Sequence, residues 1–245
     1  MLTAREMSNH AIVTGAGSGA GQAIALLLAE RGWSVSIMGR RPEALDETIA
    51  KAGQEGSRLD AYPLDVGDAA RVEQAVATAL SKHGGVQALI NAAGTNVRQR
   101  FLGELALDDW RAVLDTNLNG TYHLVSSVLP AMRRQGAGTI VNIISEAGQR
   151  ATAKAGAAYV ASKFAVSGLT QSINWEEQKH GIRATALYPG DINTPLLDRR
   201  PVPPPLEGRK HLLQPEDVAA CVLLAIELPF NAVVEELLLR PRARD

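Results

Sequence analysis

The 245-residue sequence holds one cysteine, Cys221, so no intrachain disulfide can form and nothing calls for an oxidising compartment. Cys221 stands in the apolar run VAACVLLAI, where a thiol reads as a small buried hydrophobe rather than a nucleophile. An excess of charge of either sign is missing too, since 25 basic and 26 acidic residues leave a formal charge of −1. That balance removes any broad electrostatic argument for nucleic acid or an anionic membrane as partner, and favours a small ligand. The five histidines (His10, His83, His123, His180, His211) lie far apart in the chain, without the close spacing of zinc ligands, so no metal site is expected. No run approaches the roughly 20 apolar residues that a bilayer span needs, and the opening MLTAREMSNH lacks the apolar core of a signal peptide. The expectation is a cytoplasmic protein with a loose tail over residues 1–10.

What the sequence has in quantity is alternation. Short β-rich runs (AIVTG, SVSIMG, AYPLD, ALINAAG, TIVNII, RATALYPG, VVEELLLR) close on Gly, Pro, Asp or a polar residue, as strands do. Between them, residues 20–31, 42–52, 68–83, 107–134, 152–180 and 215–227 repeat apolar positions at helical spacing. Each parallel crossover needs a helix, so this order predicts one doubly wound, Rossmann-type α/β domain over residues 11–245: a parallel seven-stranded sheet with helices on both faces. The stretch RRPVPPPLEGRK, residues 199–210, carries four prolines that forbid regular pairing; it reads equally as a surface connector and as a loop bordering a substrate cleft.

The stretch IVTGAGSGAGQAIALLLAERG joins the first strand to the first helix through Gly15, Gly17, Gly19 and Gly21. Glycines there permit a tight turn and let backbone amides approach a pyrophosphate at the positive end of the helix. A glycine loop in that strand–turn–helix context points to a dinucleotide. About 20 residues further on, where an acidic side chain would select a ribose 2′-hydroxyl, the chain reads Gly39, Arg40, Arg41. Two guanidiniums suit a 2′-phosphate, so NADP(H) is favoured over NAD(H), with Glu43 still in reach of a ribose.

In YVASK, Tyr159 and Lys163 fall four residues apart on one helix face, roughly 6 Å along the axis. A cation beside a phenol whose pKa is ordinarily near 10 lowers it toward working pH and makes a general acid–base. An exposed neighbour pair is the ordinary meaning of this spacing; what argues otherwise is Ser145, fourteen residues upstream at the end of a predicted strand, where its hydroxyl would face the same cleft.

Taken together, TGAGSGAG (14–21), LDV (64–66), NAAG (91–94), TNLNG (116–120), Ser145 with EAG, YVASK and YPGDINTP (188–195) resemble the short-chain dehydrogenase/reductase family from Ala11 to Pro241. The resemblance implies Tyr159 as proton donor or acceptor at the substrate oxygen and Ser145 as the hydroxyl that holds it. It implies Lys163 on the nicotinamide ribose, tuning the phenol, and Asn117 holding a water that links Lys163 to solvent. For the cofactor it implies Thr14, Gly15, Gly17, Ser18, Gly19, Ala20 and Gly21 at the phosphates, and Asp65 with Val66 at the adenine. Asn91, Ala92 and Gly94 would lie beside the central strand, and Pro189, Gly190, Ile192 and Thr194 at the nicotinamide end. Ala92 replaces an asparagine frequent in the family and Ile144 a serine, and the C-terminal VVEELLLRPRARD lacks the paired glycines of many acyl-carrier-protein ketoreductases.

The expected activity is NADP(H)-dependent interconversion of a secondary alcohol and a ketone or aldehyde. The alternative is a non-catalytic dinucleotide-binding redox sensor or scaffold. Arg98, Arg100 and Arg150, in loops that would border the substrate, offer charge to a carboxylate or polyol. The long helical stretches carry small and apolar residues that relatives use between subunits, so a homodimer or homotetramer is implied.

Overall fold

Strands buried on both faces read as continuous apolar runs, and HAIVT is such a run, buried at every position. In the computed structural model, which describes residues 9–152 and 154–242, it forms β1 (His10–Thr14). The others are Ser34–Gly39 (β2), Leu59–Pro63 (β3), Ala88–Asn91 (β4), Gly138–Ile143 (β5), Ile182–Pro189 (β6) and Glu236–Leu239 (β7). All pair in parallel in the order β3-β2-β1-β4-β5-β6-β7, so the expected seven-stranded, doubly wound sheet is present. The helices are Gly19–Glu30 (α1), Pro42–Lys51 (α2), Ala69–His83 (α3), Leu107–Leu114 (α4), Gly120–Gln135 (α5), Ala157–Glu177 (α6) and Pro215–Glu227 (α7). One apolar layer packs α1 and α7 on the sheet through residues such as Val13, Ile24 and Val222; the other packs α3 and α5 through Ile12, Val76 and Leu124. Strand order reverses between β1 and β4, the place where such sheets open a crevice at the strands' carboxyl ends.

Three boundaries differ from the sequence reading. The tail expected to run to residue 10 stops short, because His10 opens β1 and the Asn9 carbonyl accepts from the Ser34 N–H at 2.9 Å; residues 1–8 lie outside the described residues. The helix expected over 107–134 is α4 and α5 joined by a π-helical turn, Asp115–Asn119. A wider turn inserts a residue without ending the helix, so apolar periodicity hardly registers it. The helix expected from residue 152 begins at Ala157, because Gly156 has φ +81°, and a Cβ there would lie 2.7 Å from the Arg100 carbonyl oxygen.

A buried polar chain ties the site-bearing helix to the sheet. Asn91 donates to Asn142 Oδ1 at 2.9 Å, and Asn142 donates to Thr170 Oγ1 on α6 at 2.8 Å. Beyond β5 the backbone is strained: Ser145 has φ 149° and ψ 155°, alone among the described non-glycine residues in having positive φ. Replacing it with alanine or with glycine removes the hydroxyl in both cases, so the difference between the variants reports the backbone alone. We expect Ser145→Gly to be more stable than Ser145→Ala by about 1–2 kcal/mol in urea denaturation, the reverse of the usual order. An alanine variant as stable as the glycine one would contradict the strain.

Candidate active site

A cleft of about 790 Å³ follows the carboxyl ends of the strands. At one end lies the glycine loop. Gly15 has φ +67°, and a Cβ there would sit 2.8 Å from the Ala92 carbonyl oxygen; Gly19 has φ +55°, and its Cβ would sit 2.9 Å from Thr194 Cγ2. Thr14 Oγ1 locks this loop to the one after β4 by accepting from the N–H groups of Ala92 and Ala93, each at 3.0 Å. The result is a bare backbone cradle at the start of α1 that any side chain would fill, and it fits the phosphates of a dinucleotide. Beyond β2, Arg40 and Arg41 are exposed at the same end, and Arg40 Nη1 stands a loose 3.9 Å from Asp65 Oδ2. Asp65 turns its other oxygen to the Gly67 N–H at 2.9 Å.

Tyr159, Lys163 and Ser145 line the middle of the cleft. The first turns of α6 set Lys163 Nζ 5.6 Å from the centre of the Tyr159 ring, and Nζ donates to the Ile143 carbonyl at 3.0 Å. Lys163 is only 4% exposed, and burial pulls its pKa down to about 8. Burial also moves the Tyr159 phenol, upward; hydrogen bonding to Ser145 opposes this, followed by the charges of Arg200 and Arg100. The sequence reading assigned the opposing cation to Lys163. Arg200 and Arg100 also act by charge on the phenol, while burial holds the pKa of Lys163 itself down. Asn117, carried inward by the π-turn, is 1% exposed; its Oδ1 accepts from the Thr95 N–H at 2.7 Å, and its Nδ2 donates to Thr95 O at 3.1 Å and Ser162 Oγ at 3.0 Å.

The residues expected at the cofactor therefore share one cleft, except Thr14 and Asn91; these two and Asn117 are buried and do not line it, Thr14 and Asn117 holding loops and Asn91 joining β4 to Asn142 on β5. The substrate end departs more from expectation. Arg98 and Arg150 are exposed and do not line the cleft. Arg100 does line it, but its guanidinium is pinned to the carbonyls of Val97, Lys154 and Arg199. Lys154, Asp191, Arg199 and Arg200 also line it; sequence reasoning named none of the four singly, though Arg199 and Arg200 open the stretch that read equally as a connector and as a loop bordering a substrate cleft. The position of Arg199 and Arg200 shortly after YPGDINTP and immediately before the prolines was the available signal, and the proline-rich stretch meets the cleft through these two residues.

Among the described residues no helix is long and apolar enough to cross a membrane. The short chain dehydrogenase family model matches residues 9–202. An uncharacterized oxidoreductase of Staphylococcus aureus (strain MW2) is 34% identical over 231 residues, 94% of this chain and 96% of that protein. Among solved structures, an alcohol dehydrogenase from the archaeon Thermococcus sibiricus complexed with 5-hydroxy-NADP superposes with a TM-score of 0.86 at 28% identity, covering 97% of this chain and 98% of that one. Actinorhodin polyketide ketoreductase with NADPH gives a TM-score of 0.84 at 30% identity over 96% of each chain. With the match covering most of its length, on a parallel seven-stranded sheet whose switch point carries the glycine cradle, the chain belongs to the short chain dehydrogenase family of oxidoreductases, which act on CH–OH groups and bind a nicotinamide dinucleotide.

Proposed function

We propose that this protein interconverts a secondary alcohol and a ketone or aldehyde with NADP(H), using Tyr159 as general acid and base. The observation that carries the reading is a buried ammonium 5.6 Å from the centre of a phenol ring, beside a strained serine hydroxyl, in the same cleft as the glycine cradle. When bound, the dinucleotide supplies a hydride donor or acceptor. The glycine loop, Asp65, Val66 and the stretch from Pro189 to Thr194 would hold it, with Lys163 at the nicotinamide ribose.

In the reducing direction Tyr159 gives its phenolic proton to the substrate oxygen as that oxygen gains negative charge; in oxidation it takes the proton back. Ser145 Oγ donates to the same oxygen and orients the carbonyl. Lys163 uses one N–H on Ile143 O and has two further donors for the ribose and the phenol's surroundings. Asn117 acts as a positioning residue, since its amide fastens Thr95 to Ser162 one residue before Lys163; one acceptor site on Oδ1 remains for a water.

Arg40 and Arg41 support NADP(H) over NAD(H): both stand exposed at the adenine end, and the one carboxylate near Arg40 is too far for a close pair. Similar proteins bound to NADP and NADPH agree with that preference. Tyr122, Phe164 and Trp175 expose apolar surface on α5 and α6, which supports a homodimer or homotetramer. Residence in the cytoplasm completes the reading, supported by the single cysteine.

In a fluorescence titration followed by a carbonyl panel read at nicotinamide absorbance, Tyr159→Phe should keep the Kd for NADPH within about twofold and lower kcat by at least about 100-fold. Undiminished turnover would refute the role of Tyr159, and dinucleotide binding without turnover of any carbonyl by the unaltered protein would favour a sensor. Arg40→Ser should weaken NADPH about tenfold and leave NADH nearly unchanged; equal losses for both would refute the phosphate contact.

A further inference from the structure

The substrate end of the cleft holds more positive charge than it neutralises. Besides Lys163, four cations line it: Arg100, Lys154, Arg199 and Arg200. Among the described residues lining that end, they face two carboxylates, Asp191 and Glu146. Glu146 is already engaged by Arg240, which is not one of the four, at 2.9 Å. Asp191 is shared: Arg200 grips it through Nη2–Oδ1 at 2.5 Å and Nη1–Oδ2 at 3.1 Å, and Lys154 Nζ reaches Oδ2 at 2.6 Å.

Arg100 and Arg199 are held in place by neutral groups. Arg100, 4% exposed, donates to Val97 O at 2.7 Å, Arg199 O at 2.7 Å and Lys154 O at 3.3 Å, so it fastens together the backbones that carry two of the other cations. Arg199 Nη1 donates to Thr95 Oγ1 at 2.9 Å. Arg100 and Arg200 lie near enough to repel one another, and both act by charge on the Tyr159 phenol. Like charges gathered in a partly desolvated cleft are costly unless a counter-charge arrives, and a planar guanidinium fork with N–H groups to spare receives a carboxylate well.

We infer that the substrate is a hydroxy or oxo carboxylic acid whose carboxylate is received at Arg200, with Asp191 as the fixed carboxylate that orients the arginine, and with Arg100, Lys154 and Arg199 supplying the surrounding positive potential. This rests on the redox reading above and specifies its substrate class. Asp191 acts as a positioning residue, Arg200 as a specificity determinant.

The test is calorimetric titration of the enzyme saturated with NADPH, in which alcohols bind without turning over. The probes are lactate, β-hydroxybutyrate and γ-hydroxyvalerate, each against its methyl ester, so that the spacing from hydroxyl to carboxylate varies. For at least one spacing the acid should bind at least about tenfold more tightly than the ester, the worth of one charge-assisted hydrogen bond. Arg200→Gln should reduce that ratio to about threefold or less, whereas Asp191→Asn, which deletes a negative charge but keeps an oxygen to orient Arg200, should raise it. A merely structural role would move both variants in one direction. Equal affinity of acid and ester at every spacing, or no saturable binding of any acid, overturns the inference. So does an Arg200→Gln variant that loses NADPH affinity while keeping the acid-to-ester ratio, because the arginine would then serve the cofactor's phosphates. Failure of the redox reading is seen separately, as absence of NADP+ reduction with neutral and acidic alcohols alike.

Discussion

The structure depends on placing one ammonium group out of water at the end of a β-strand. Lys163 Nζ reaches the Ile143 carbonyl, the last of β5, and can do so only because α6 lies against the turn that follows that strand. The turn is fastened from the other side as well. Ser167 Oγ bonds both the Gly148 and the Lys163 carbonyls at 3.1 Å, and a Cβ on Gly148 would come within 2.9 Å of the Lys163 carbonyl oxygen. Such an approach leaves room for no side chain at residue 148, and in the same turn Ser145 holds a backbone conformation that costs roughly 1–3 kcal/mol. The buried chain from Asn91 through Asn142 to Thr170 holds the same helix one turn further along.

Electrostatics divides the cleft along its length. At the glycine end, backbone amides at the start of α1 and the exposed Arg40 and Arg41 make the potential positive. In the middle, burial works against charge on both reacting-site groups: it raises the phenol of Tyr159 and lowers Lys163 to about 8. Near neutral pH the lysine keeps most of its protons, and above about 8 it loses them. At the far end Arg100 and Arg200 oppose the phenol's upward shift, and Arg200 is itself paired with Asp191, so the charge around Asp191 also reaches Tyr159.

Much of this was legible in the sequence where local pattern and fold agree. The apolar runs mark the strands, the alternation marks the winding, and GAGSGAG between strand and helix marks the cradle. Tyr159 and Lys163 were visible because a helix makes four-residue spacing a contact. Features that depend on tertiary approach left little or no trace. The π-turn preserves apolar spacing, so periodicity did not mark Asn117, which was singled out only through the TNLNG resemblance. Nothing local announces positive φ at a serine. His10 and His83, far apart in the chain, stack with ring centres 4.1 Å apart because β1 and α3 meet. The arginines chosen by loop position, Arg98 and Arg150, lie outside the cleft, while Arg200 enters it only through a carboxylate nine residues away, Asp191.

The most direct test follows the titration of the Lys163 ammonium itself, by NMR of protein carrying 13C-labelled lysine, with the signal assigned from its loss in Lys163→Arg. A midpoint near 8, well below the ordinary value of 10.5, is the result that burial at the end of β5 requires. A midpoint at the ordinary value would place the ammonium in water, and the arrangement of Tyr159, Ser145 and the strained turn around it would have lost its cause.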